Sequence, residues 1–86
     1  MNTPTDYTAR AEVYVATCPS PAIAYAVIRG LMLDYDIEDI ARTADCDEHE
    51  ARAYYQAMRA AMREGFVFTE AAQEALRAAL KRRVEA

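Results

Sequence analysis

The sequence predicts a mainly α-helical fold of four to five helices, two of them joined by a tight turn, with at most one short strand. Three observations lead there. Apolar residues recur at spacings of three and four along most of the chain, the period of one helix face. Residues that start helices punctuate it: Thr3-Pro4, Ser20-Pro21, Asp36, Asp47 and Thr69. Only two Gly and three Pro interrupt 86 residues. The length suits a single domain, residues 1–86. At 53% hydrophobic the chain is too apolar to be disordered. Its longest apolar run, Ala22 to Ile28, is far short of the roughly 20 residues that span a bilayer, so no membrane role is expected. Nineteen of the apolar residues are Ala, which bury little area each, so Ile, Leu, Val, Met, Phe and Tyr must supply the core. A core of this size contributes only about 3–5 kcal/mol. Dimerisation, or docking on a partner, is therefore expected.

In the first helix, 3–18, Thr3 is the cap, Pro4 the first residue and Asp6 an acid in the first turn. Tyr7, Ala11, Tyr14 and Cys18 form its inner stripe. Pro19 stops it, and Ser20-Pro21 starts the second helix, 21–35. There Ile23, Ala24, Val27, Ile28, Leu31, Met32 and Tyr35 share one face, the strongest apolar periodicity in the chain and the expected central core helix. Gly30 inside it costs up to about 1 kcal/mol of helix propensity and marks a close helix crossing. Asp36 caps a short third helix, 37–44, with Asp39 at its third position. Asp47 caps the fourth, 48–64, with Glu50 in the capping-box position. About three residues separate these two helices, which is helix-turn-helix spacing. Ile40, Ala41, Ala44, Cys46, Ala51 and Tyr54 are small or apolar where the two must approach.

Gly65 ends the fourth helix, Phe66-Val67-Phe68 reads as a short strand (66–68), and Thr69-Glu70 opens the last helix, 70–84. With these features residues 36 to 80 resemble the core of winged-helix transcriptional regulators of the MarR-like type. That resemblance implies a reduced winged helix that binds DNA through residues 48–64. Two features depart from the family pattern. Asp45 stands where the turn usually has Gly, a substitution Asp tolerates because it enters left-handed backbone conformations more readily than most residues. Gly65 to Thr69 is also too short for a hairpin, so the basic wing is missing or collapsed.

Net charge is −4, but unevenly spread. Residues 1–50 hold three arginines against ten acids, a balance of −7, and residues 51–86 hold seven bases against four acids, a balance of +3. The fourth helix has an inner stripe of Ala51, Tyr54, Tyr55, Met58, Ala61 and Met62, which leaves His49, Arg52, Gln56, Arg59 and Arg63 as the outer one. In a major groove Arg52 suits guanine and Gln56 adenine, with Arg59 and Arg63 on phosphate. The bland alternative is a solvated face of i,i+3 and i,i+4 pairs. Against DNA, acids crowd the entrance of the helix, where they repel phosphate.

The leading expectation is a small, sequence-specific, repressor-like DNA-binding regulator, dimeric, with duplex DNA as partner. Its rival is an acidic protein-binding module, of the kind a phage-type inhibitor uses, that covers a basic, nucleic-acid-binding site of a partner through Asp34, Asp36, Glu38, Asp45, Asp47 and Glu48. A third possibility is a structural adaptor that dimerises through the apolar stripe of the last helix, Leu76, Ala79, Leu80 and Val84, which otherwise closes the core.

No enzyme, metal or cofactor is expected. The single His49 has only Cys46 near it as a nucleophile, and neither Cys18 nor Cys46 has a second ligand at zinc spacing. The thiols suit a reducing compartment, and no basic-then-apolar leader precedes Thr3, which points to the cytoplasm.

Overall fold

Residues 6–86 are described by a computed structural model, and the first of them already sets a helix boundary. The Asp6 carboxylate accepts a hydrogen bond from the Ala9 N–H at 3.2 Å, so Asp6 is the N-cap of α1 (Tyr7–Thr17) rather than a residue of its first turn. The expected cap at Thr3 and the helical Pro4 lie outside the described residues. α2 (Pro21–Met32) begins as its sequence dictates: the Ser20 hydroxyl accepts from the Ile23 N–H, and Pro21 occupies the first turn.

α2 stops three residues before the expected end at Tyr35. The Tyr35 N–H returns to the Gly30 carbonyl at 2.9 Å and the Asp34 N–H to the Leu31 carbonyl at 3.1 Å, with Asp34 left-handed at φ 60°. This is a Schellman ending with Asp in the place usually held by Gly. It leaves Met32 and Tyr35 substantially exposed, although both had been placed on the buried face, while Ala24, Val27 and Ile28 from the same face are fully buried.

α3 (Ile37–Ala44) and α4 (Glu48–Met62) follow as expected, with Asp36 and Asp47 as caps, but α4 ends at Met62 instead of Glu64. Arg63 is already extended because the next residues turn back. Glu64 and Val67 exchange two backbone hydrogen bonds, 2.9 and 3.1 Å, around Gly65-Phe66. Gly65 has φ +62° and Phe66 does not share the positive sign, the pattern of a type II′ turn. The expected strand at 66–68 is therefore replaced by one bridge, and no sheet occurs among the described residues. Phe66, 86% exposed, stands at the tip of this turn, where the reduced wing was expected. α5 (Glu70–Glu85) starts at Thr69, whose hydroxyl accepts from the Ala72 N–H.

The protein is thus mainly α, with five helices among the described residues. α5 packs against both α1 and α2, and α2 also carries α3 and α4. Val27, Ile28, Ile40, Met58, Met62, Leu76 and Leu80 form the fully buried centre. The last helix is consequently a core element: Leu76, Ala79 and Leu80 are buried, and only Val84 of its stripe reaches solvent. The guanidinium of Arg82 meets Glu12 at 2.8 Å across the α1–α5 seam. None of the described helices is long and apolar enough to cross a membrane.

Candidate nucleic-acid interface

The geometry of the α3–α4 unit is set at its turn. The Cys46 N–H bonds to the Ala41 carbonyl at 3.0 Å and the Asp45 N–H to the Arg42 carbonyl at 3.3 Å, with Asp45 left-handed at φ 57°, ψ 47°. This repeats the Schellman ending of α2. The Asp47 carboxylate then accepts from the Glu50 N–H at 2.7 Å. Among the described residues only this half of the capping box forms. Ile40 and Ala41 from α3 and Ala51 from α4 are buried where the helices meet.

Because Asp45 holds a conformation that suits Gly better, Asp45→Gly is expected to raise stability by about 0.5–1 kcal/mol and Asp45→Val to lower it by about 1–2 kcal/mol. Thermal melts of the two variants should move in opposite directions. A melt lowered by Gly would contradict the strain assigned to this turn.

All five residues of the expected outer stripe are exposed, four of them on one flank of α4 and Arg63 at its extended C-cap. From His49 to Arg63 the row extends about 21 Å at the helical rise of ~1.5 Å per residue. Its members are not equally free. Arg52 lies 3.8 Å from Glu48, Arg59 donates to the Phe66 carbonyl at 3.3 Å, and the Arg63 carbonyl accepts from Arg10 at 3.3 Å. Arg59 therefore fastens the turn that carries Phe66 to the helix.

The six acids of the rival site are exposed as well, but they fall into two groups at opposite ends of α3. Asp34, Asp36 and Glu38 lie at its start, and Asp45, Asp47 and Glu48 lie at the turn into α4. Asp36 and Asp47 serve as caps, Glu38 pairs with Arg42 at 3.6 Å, and Glu48 with Arg52. Burial pushes the Cys46 thiol up from its ordinary range, and the nearby Glu50, Asp47 and Asp45 push it further. Such a thiol is not the activated nucleophile that thiolate chemistry requires.

An open, largely apolar groove of about 970 Å³ runs between α1 and α4. Tyr14 and Tyr54 line it; Val13, 67% exposed, and the small side chains of Ala53, Ala57 and Ala61 lie along it. Ala61 had been placed on the inner stripe of α4 and is exposed instead. Burial raises the Tyr14 and Tyr54 hydroxyls above their ordinary range, and in both cases the neighbouring Cys18 adds to the effect. The available signal for this groove was the four-residue recurrence of Ala53, Ala57 and Ala61, beside an isolated Val13 off the inner stripe of α1.

No protein-family model, curated protein or solved structure matches this chain.

Proposed function

We propose that this protein is a small DNA-binding regulator, repressor-like in action, that reads duplex DNA with α4. One observation carries the reading: the α3–α4 unit is fixed by a left-handed turn and buries Ile40, Ala41 and Ala51, while His49, Arg52, Gln56, Arg59 and Arg63 are exposed. In this reading Arg52 leaves Glu48 to meet a guanine edge, Gln56 meets adenine, and Arg59 and Arg63 meet phosphates. The Phe66 carbonyl holds the Arg59 guanidinium in place beside α4.

The test is binding to random and enriched duplexes at two salt concentrations. Affinity should fall steeply with salt, because displaced counterions return to the DNA. Arg52→Ala is expected to weaken the preferred duplex about tenfold and relax its sequence preference. Arg59→Ala and Arg63→Ala should weaken all duplexes alike and lower the salt slope by about one each. No retardation of any duplex at low salt would sink the proposal.

A second reading has a specific observation behind it. Asp45, Asp47 and Glu48 stand exposed at the entrance of α4, and Glu48 draws Arg52 toward itself. That arrangement suits an acidic module covering a basic site on a partner protein. Reversing these three charges would then abolish partner capture by a chain that never retards DNA.

A further inference from the structure

The groove between α1 and α4 has a polarity of its own. α1 runs antiparallel to α4. At one end the Tyr7 hydroxyl donates to Glu64 at 2.7 Å and Arg10 donates to the Arg63 carbonyl, and at the other Tyr54 lies beside Cys18 and Ser20. Two charged side chains stand at opposite ends of the lining: Arg10 level with the C-terminal end of α4, and Glu50 at its N-terminal end. Neither makes an ion pair among the described residues; Arg10 is engaged by a backbone carbonyl and the Tyr7 ring only. Between these ends the wall is apolar and the side chains of α4 are small, so another helix can approach closely.

We propose that this groove is the isologous interface of a homodimer, with Arg10 of each copy paired to the partner's Glu50. Symmetry and charge together select this arrangement. A two-fold axis requires a surface complementary to itself. The residues of α4 that line the groove satisfy this about Ala57: Ala53 and Ala61 lie four residues to either side, and Glu50 lies seven before it, level with the partner's residue 64, one past the Arg63 carbonyl that Arg10 holds. From Glu50 to the level of Arg63 is about 20 Å at the helical rise. An antiparallel second copy centred on Ala57 therefore closes two identical Arg10–Glu50 contacts at once and covers Val13 twice. A parallel copy would set Arg10 against Arg10 and Glu50 against Glu50. Glu64, at the Arg10 end, is held by the Tyr7 hydroxyl.

The interface borders the reading row along one edge, since Ala53 and Ala60 of its lining lie one turn from His49 and Gln56, while Arg52 and Arg59 project farther round the helix and stay clear of it. It also brings the two α4 helices to the shared axis, so the dimer meets one continuous stretch of duplex instead of two half-sites a full turn apart.

The experiment is sedimentation equilibrium of the full chain, with circular dichroism as a fold check. The wild type is expected to dimerise. Ala57→Arg, at an exposed position, should yield a folded monomer. Arg10→Glu and Glu50→Arg should each weaken the dimer about tenfold or more, the scale of breaking an interfacial charge pair. The double variant, carrying both reversals, should restore it. A monomeric wild type at several hundred micromolar, or a dimer indifferent to Ala57→Arg, would overturn the proposal, as would a double variant no better than either single one. Because DNA retardation is a separate readout, failure of the dimer and failure of the DNA reading are distinguishable.

Discussion

Replacing Leu76 by Ala is expected to remove about 2–5 kcal/mol of stability, enough to leave a chain of this size partly or wholly unfolded at 37 °C. Leu76 is fully buried on α5, the helix that packs against both α1 and α2. The loss has two parts. Side-chain atoms removed from the core forfeit their transfer free energy, and the cavity left behind forfeits contacts with neighbours that relax only in part. α5 also closes the two halves of the bundle, so loosening it loosens α1 as well. Chemical denaturation followed by circular dichroism measures the effect, with Val84→Ala on the partly exposed end of the same helix as control. The control should change stability by less than about 1 kcal/mol. Equal losses for the two would mean that α5 is not the core element described.

Gly30→Ala is expected to destabilise by about 1–3 kcal/mol, opposite to the gain of up to about 1 kcal/mol that helix propensity alone predicts. Gly30 is buried inside α2, and a Cβ built on it would overlap Cγ1 of Ile40 on α3. Ile40 is itself fully enclosed and β-branched, so its χ1 has little freedom to give way. α3 must then move outward, and the α3–α4 unit moves with it. Thermal melting gives the sign directly. A companion variant, Gly30→Ala with Ile40→Ala, removes Cγ1 itself and should be less destabilised than the sum of the two single changes. A Gly30→Ala protein more stable than the wild type would show that the two helices are not in close contact there.

Much of this molecule is written locally. Ser20, Asp36, Asp47 and Thr69 each cap the helix they were expected to start, because an N-cap depends only on a side-chain oxygen and an amide three residues on. The close α2–α3 crossing was legible from one Gly inside a strongly apolar helix. The row from His49 to Arg63 came out uncovered because the opposite face of α4 is rich enough in apolar residues to orient the helix.

The misplaced features share a different cause. The sequence extends α2 three residues too far because Tyr35 continues the period of Leu31 and Met32, and Asp34 gives no glycine signal for its left-handed turn. Phe66-Val67-Phe68 has strand composition, but a strand needs a neighbour; with none available, two backbone bonds to Glu64 make a turn instead. Ala61 is misplaced because alanine fits inside or outside equally well, so the recurrence of Ala53, Ala57 and Ala61 does not by itself say whether that face is covered.

The sequence by itself determined the class of fold, the number and order of helices, the tight joint between α3 and α4, and the division of charge between an acidic first half and a basic remainder. These follow from periodicity, caps and composition, which act within a few residues. Only the tertiary structure decided that α5 is core and that α1 and α4 leave an apolar groove with Arg10 and Glu50 at its ends. Each of those depends on which helix lies opposite which, and a pattern read along one helix specifies its face but not the surface that face will meet.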